Sequence, residues 1–368
     1  MKLVNVSRSK FLEMTKGKRI VCFGSGKYLD EFCGCCNITD RIKLIVDNAP
    51  EKSGTYREVL GQHIPICSLD NAIARIDGND ILLITTGRDA GVDIYRQIER
   101  IPFFENRTIY WAWIILISFA TVYESTKPTD IVFRLTEKPL IPKIIHYCWF
   151  GGNPIPEKFQ EYINGWKKFC PDYEIIEWNE KNYDINKNKY MRQAYDAKKW
   201  GFVPDYIRKD VIYEYGGIYL DTDVEVIKNL DDFLYQDGFC CFESDYINFG
   251  SGFGAKKHLP IIKILRDMYD DLEFYFDDVK TVVTGPMNET AKLEEYGLNN
   301  NGQYQKIAGL TVYPRDVLSG TNQYTGEPYI TKNTYTLHHY AASWYDEDTK
   351  GKMNAAREII RMAFDEGK

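Results

Sequence analysis

Three short apolar runs mark the first hundred residues, "KRIVCF", "RIKLIVDN" and "NDILLITTG". Nearly unbroken runs of this length, bounded by turn residues, read as buried strands. Elsewhere the spacing changes, and "KYLDEF" and "DAGVDIYRQIER" carry apolar residues at helical intervals. Strands alternating with helices predict a small parallel α/β unit over about residues 14–108. Its first strand ends in a turn where Gly24 and Gly26 would permit close approach of a phosphate. The third glycine of a dinucleotide fingerprint is replaced by Leu29, however, and Asp47 is as readily an ordinary strand-end acid as a ribose contact. A structural or regulatory unit is the better reading.

The most apolar stretch is "IYWAWIILISFATVY", residues 109–123. It is shorter than the roughly 20 residues that cross a bilayer and contains Ser118 and Thr121, so it reads as a buried or interdomain helix. Peripheral membrane association is allowed by it without being required. A linker punctuated by Pro128, Pro139 and Pro142 follows. We place the boundary there, with a small Rossmann-like α/β domain and linker over 1–129 and a second domain over 130–368.

The second segment repeats the strand and helix rhythm. "IPKIIHYCWFGG" reads as a strand running into a glycine turn, "PEKFQEYINGWKKF" as an amphipathic helix, "YEIIEWNE" as a second strand and "KYMRQAYDAKKWG" as another helix. "VPDYIRKDVIYEYGG" is a helix with Pro204 in its first turn and Gly216 and Gly217 as its stop.

Composition narrows the options. Of 368 residues, 44% are hydrophobic and 27% charged, which describes a globular chain. A formal net charge of −7 argues against a general nucleic-acid surface, though not against a local basic patch. Nine cysteines, an odd number, fit reduced thiols, and the cluster Cys33, Cys35 and Cys36 lacks a second ligand pair. The opening "MKLVNVSRSKFLEMTKGKR" has no apolar core of signal-peptide type, so the expected location is cytoplasmic, with the inner face of the membrane open to it.

One stretch does not fit a purely structural reading. "GIYLDTD" predicts a short central strand that delivers Asp221 and Asp223 at its carboxyl end, where α/β sheets place ligand crevices. Strand periodicity would project both carboxylates to one side and Thr222 to the other. Like charges this close repel unless a cation, donors or protons compensate. Mg²⁺ or Mn²⁺ bridging carboxylate and diphosphate oxygens meets that need. In isolation, an Asp-x-Asp triplet is more often a turn.

The longer string "PDYIRKDVIYEYGGIYLDTDVEV", with "IPKIIHYCWFGG", "TGP" at 284–286 and "LHHYAASW" at 337–344, resembles the DXD-containing glycosyltransferases. That family includes yeast initiating α-mannosyltransferases, capsular polysaccharide transferases and the catalytic domains of clostridial glucosylating toxins. The resemblance covers roughly residues 140–345 and implies a GT-A-type nucleotide-sugar transferase domain. It implies Trp149 as a stacking surface for the donor base, Asp205 and Arg208 as holders of donor-sugar hydroxyls, and Asp221 as a donor and metal contact. It further implies Asp223 as the direct metal ligand, Gly285 as part of the donor wall, and Ser343 and Trp344 near the diphosphate. Of His338 and His339, one is expected near metal or phosphate, and His338 is our choice. Where the family has Ser before the helix acid, this chain has Pro204, which suits a first helical turn.

The expected activity is therefore retaining transfer of a hexose from a nucleotide sugar, with a UDP-sugar as donor, to a saccharide or lipid-linked glycan. Capsule or surface polysaccharide assembly is the expected setting. A metal-dependent nucleotide-sugar hydrolase and a noncatalytic nucleotide- or sugar-binding protein are the alternatives. The catalytic group would be Asp205, Arg208, Asp221 and Asp223. Acceptor identity and oligomeric state are not legible here.

Overall fold

The computed structural model describes residues 1–117, 131–243, 246–274, 284–323, 325–341 and 347–365. The chain divides into two compact units, Met1–Lys127 together with Asp346–Lys368, and Pro128–Tyr345.

The first unit holds strands β1 (Lys2–Leu3), β2 (Ile20–Phe23), β3 (Ile42–Val46), β4 (Tyr56–Val59), β5 (Gln62–Cys67), β6 (Ile81–Ile84) and β7 (Thr108–Trp111). They form one sheet in the order β1-β7-β6-β2-β3-β5-β4, parallel except for the β4–β5 hairpin. Every residue of β2 and β6 is buried, which is why their sequences are apolar throughout rather than alternating. Helices Lys27–Cys36 and Arg88–Glu99 follow β2 and β6, giving the Rossmann-like α/β arrangement. Leu29, standing where a third glycine would be, is fully buried in the core. The Asp47 carboxylate accepts from the backbone N–H groups of Ser25 at 3.1 Å and Ala49 at 3.0 Å, and from Lys52 at 3.1 Å, so it serves the loop around it.

Two expectations change in this unit. The apolar run 109–123 opens as the end of β7 and continues as a short helix, Ala112–Ile117, with Trp113, Ile114 and Ile115 buried; positions 118–123 lie outside the described residues. Among the described residues no helix is long and apolar enough to cross a membrane. The C-terminal helix Glu347–Asp365, assigned by sequence to the second domain, belongs to the first unit. Ala355, Ala356, Ile359, Ile360 and Ala363 make a helical stripe that is buried on helix Arg88–Glu99 and β1, a long-range pairing that sequence order conceals.

The second unit contains β8 (Ile144–Cys148), β9 (Glu174–Trp178), β10 (Gly217–Tyr219), β11 (Val224–Val226), β12 (Gly238–Cys241), β13 (Phe253–Ala255), β14 (Gln305–Ile307), β15 (Leu310–Tyr313) and β16 (Thr336–His338). Seven of these form a mixed sheet, β14-β15-β12-β13-β10-β8-β9, and β11 pairs separately with β16. β10 lies inside the sheet, parallel to β8 and antiparallel to β13. Its residues Ile218 and Tyr219 join different core clusters, as neighbours on a pleated strand must. Helix Glu157–Phe169 packs Ile163 and Trp166 into the Ile218 cluster, and helix Pro204–Tyr215 packs Ile207, Val211 and Ile212 into the Tyr219 cluster. A mixed α/β domain with the β10 tip at its carboxyl edge is the result.

The double glycine has a specific cause. Gly216 ends the helix at φ +70°, and Gly217 continues at φ +112°. A Cβ on Gly217 would lie 2.7 Å from the Ile144 carbonyl oxygen and 2.9 Å from His146 Nε2. His146 itself is fully buried, receives the Trp178 indole N–H at Nδ1 (3.1 Å), and therefore carries its proton on Nε2, which donates to the Gly216 carbonyl at 2.8 Å. Burial pushes its pKa down to about 4, the Gly216 hydrogen bond opposing.

The unfolded chain takes up this proton before the folded one does, so His146 contributes fully above its unfolded pKa, about 6.5, and that contribution is lost as pH falls toward 4. We expect acidification across this window to remove on the order of 3 kcal/mol through this ring alone. In urea unfolding between pH 7 and 4.5, His146→Gln is expected to show a weaker pH dependence than the parent protein. Parallel profiles would contradict the assignment.

Candidate active site

β10 stops at Tyr219, and Asp221 and Asp223 lie in the turn between β10 and β11 rather than along an extended strand. The expectation that strand alternation aligns the two acids is thus corrected. The turn is closed by the Val224 N–H donating to the Asp221 carbonyl at 3.1 Å and is tied to the next loop by the Asp221 N–H donating to the Gly250 carbonyl at 2.9 Å. β11 then returns against β16 with Val224 opposite His338, and this register carries the histidine to the acids.

Ligand atoms of Asp221, Asp223 and His338 all lie within 4.8 Å of one another. His338 Nε2 is 3.3 Å from Asp223 Oδ1, and its Nδ1 is 3.1 Å from Glu243 Oε1. The second Asp223 oxygen accepts the Ala341 N–H at 2.8 Å. Burial would push the Asp223 carboxyl up, but His338 and these hydrogen bonds outweigh it and hold the carboxyl below its usual range. His338 is likewise disfavoured as a cation by burial, yet the two carboxylates raise its pKa well above the ordinary value. His339 turns elsewhere: it meets Glu225 at 2.8 Å and stacks on Tyr162 with ring centres 4.5 Å apart.

Two carboxylates and an imidazole are a donor set that fits Mn²⁺ or Mg²⁺. Glu243 completes the pattern, because a carboxylate on Nδ1–H fixes the tautomer that leaves Nε2 for a metal. Nothing in the sequence pattern singled out Glu243, which precedes its partner by 95 positions. It also accepts from the Asn248 amide at 2.6 Å, so the loop 246–250 is tied to the same carboxylate.

Beside this cluster, the first two turns of helix Pro204–Tyr215 bury Asp205 and Arg208, which pair directly with each other. Arg208 also reaches to 4.0 Å from Asp221 and lies over the Tyr219 ring, whose hydroxyl donates to Asp221 at 3.0 Å. Burial pushes the Asp205 carboxyl up to about 6, against the pull of Arg208. Two glycines make this crowding possible. A Cβ on Gly250 would fall 2.0 Å from an Asp221 oxygen, and one on Gly285 2.8 Å from an Asp205 oxygen. Gly285 opens helix Gly285–Glu295, so the Asp205 carboxylate meets a helix N-terminus.

That second helix is fastened to the first by Lys209 and Glu289, an ion pair with both side chains fully buried and the Tyr269 hydroxyl donating to Glu289 at 2.6 Å. Burial lowers the Lys209 pKa to about 8, with Glu289 opposing. Sequence reasoning passed over this pair because its members are 80 positions apart.

Trp149 follows β8 directly, at the carboxyl end of the strand that pairs in parallel with β10, and packs against the Ile218 core cluster. Its indole N–H donates to the Asn153 carbonyl at 2.6 Å, and its ring packs against Phe159. Ser343 and Trp344 lie outside the described residues.

Glu243→Gln tests the tautomer argument. We expect Mn²⁺ affinity, read by electron paramagnetic resonance titration, to fall about 10- to 100-fold while the fold is kept. Unchanged affinity would remove Glu243 from the site.

Residues 156–240 match the model of the glycosyltransferase sugar-binding region containing a DXD motif. Inositol phosphoceramide mannosyltransferase 3 of Schizosaccharomyces pombe is 32% identical over 159 residues, covering 40% of this chain and 43% of that protein. Inositol phosphoceramide mannosyltransferase 2 of the same organism is 25% identical over 238 residues, covering 61% and 64%. Each match spans less than two thirds of the relative. Among solved structures, the PaToxG glycosyltransferase aligns over 50% of this chain and 76% of its own, at 18% identity and a TM-score of 0.36. Residues 156–240, then, match the sugar-binding region of the DXD-containing glycosyltransferases, and the acids Asp221 and Asp223 fall within that match.

Proposed function

We propose that the second unit is a metal-dependent glycosyltransferase that moves a hexose from a nucleotide sugar, a UDP-sugar in our reading, to a saccharide or lipid-linked glycan with retention of anomeric configuration. The observation that carries this reading is the convergence of Asp221, Asp223 and His338 beside the buried Asp205–Arg208 pair. Capsule or surface polysaccharide assembly at the cytoplasmic face is the setting we favour.

A divalent cation held by Asp221, Asp223 and His338 would supply charge neutralisation at the donor diphosphate. The protein's own groups do the positioning. Asp221, with its side chain 31% exposed, is the accessible member of the cluster, and it is aimed by the Tyr219 hydroxyl and by the backbone bond to Gly250. Asp205 and Arg208 are almost wholly buried, so donor hydroxyls reaching them would meet preorganised groups that lose little freedom on binding. Trp149 offers an aromatic surface at the same edge for the donor base. We assign no protein nucleophile or general base: Asp221 and Asp223 converge on one point, whereas glycosidase carboxylates face each other across a substrate.

The two alternatives predict different products. A hydrolase would cleave donor at full rate without acceptor, and a binding protein would not cleave it at all. A Mn²⁺-dependent mass-spectrometric screen of nucleotide sugars, run with and without a panel of glycan acceptors, separates all three. We expect acceptor-dependent transfer that Asp223→Asn reduces by at least about 100-fold, or some 2.7 kcal/mol of transition-state stabilisation. Full activity in that variant would reject the cation site, and product NMR showing inversion would reject retention.

A further inference from the structure

A cavity of about 510 Å³ opens in the first unit, alongside β1 and at the amino ends of β6 and β7. Its size falls in the range of small-molecule sites, about 300–1,000 Å³. Its place is unusual, because ligand crevices of parallel α/β sheets lie at the carboxyl ends of the strands. It is therefore not the crevice that Gly24, Gly26 and Asp47 border.

The charges around it are unbalanced. Lys2, Lys18 and Arg107 line the cavity with one acid, Asp80. That acid is already matched by Lys43 at 2.7 Å and Arg19 at 3.5 Å. Lys18 has no acidic partner among the described residues. Arg107 donates to the Asp77 carbonyl at 3.1 Å and lies over the Phe103 ring at 4.2 Å, again with no carboxylate. The same cavity is lined by Tyr110, only 4% exposed and packed edge-on against Phe11. Its hydroxyl makes no hydrogen bond among the described residues, and it is not one of the sealed-off buried atoms, so it opens onto the cavity it lines. Burial alone moves its phenol pKa, upward. Leu3, Val4 and Ile81 supply apolar wall.

We propose that this cavity binds a small metabolite by its phosphate or carboxylate group, held by Lys18 and Arg107 with the Tyr110 hydroxyl donating. The Tyr110 hydroxyl, open to the cavity and unclaimed by any described protein acceptor, is a donor available to a bound anion. Two cations lacking acids select an anion, and bonds to a charged group are the stronger kind. Asn106 and Thr108 stand at the same mouth to fix the ligand's orientation. The site is independent of the transferase chemistry, and it makes the first unit a ligand-binding module.

The test uses the full chain in thermal-shift titrations with two sets of probes. Glucose 1-phosphate, AMP and phosphoenolpyruvate form the phosphate set; citrate, 2-oxoglutarate and pyruvate form the carboxylate set. We expect at least one probe to raise Tm saturably, and the responding set names the group. Lys18→Glu, in an exposed turn where the fold is insensitive to it, should weaken that probe roughly tenfold or more. Tyr110→Phe should weaken it several-fold, while Asp223→Asn should leave it unchanged. The proposal is overturned if no probe shifts Tm, if the shift survives Lys18→Glu, or if Asp223→Asn abolishes it.

Discussion

Carboxylates gathered close together repel one another, and burial adds a desolvation cost; the second unit gathers buried Asp205 and Glu243 with half-buried Asp221 and Asp223 beyond the end of β10. Each is given a partner of fixed geometry. Arg208 closes on Asp205 and approaches Asp221, while His338 stands between Asp223 and Glu243. With both ring nitrogens facing carboxylates, His338 keeps its proton in the absence of a cation, so metal binding there would release that proton.

Backbone placement follows from the same constraint. Groups this close leave no room for a Cβ at Gly250 or Gly285, so the loop after β12 and the start of helix Gly285–Glu295 approach the acids as bare backbone. The Lys209–Glu289 pair fixes the two helices against each other from below. Truncating one partner of such a pair typically costs about 3–5 kcal/mol because the other is left charged and buried. Its effect is to make the position of Gly285 over Asp205 a property of the core rather than of a surface loop.

The first unit keeps a familiar architecture without the features of a dinucleotide site. Its sheet has the parallel order and covering helices of nucleotide-binding folds, yet Leu29 fills the place of a glycine and Asp47 is held by Ser25, Ala49 and Lys52. The unbalanced charge lies at the opposite end of the strands, around Tyr110. The C-terminal helix closes onto this unit through its stripe of alanines and isoleucines, so the two ends of the chain share one core.

Local pattern alone determined much of this. The unbroken runs at Ile20–Phe23 and Ile81–Ile84 are strands, and "VPDYIRKDVIYEYGG" is a helix that stops at a glycine with positive φ; Asp205, Arg208, Asp221, Asp223 and His338 were singled out by the family resemblance rather than by local pattern. Such features are legible because periodicity, turn chemistry and clustered motif residues act over a few positions. What the tertiary structure decided was every relation across long separations. It placed the two acids in a turn rather than on a strand face, chose His338 over His339 through the β11–β16 register, and supplied Glu243 and the Lys209–Glu289 pair. It also took the last helix away from the domain that precedes it. The physical reason is the same in each case: burial energy depends on which surfaces meet, and no window of sequence contains both of them.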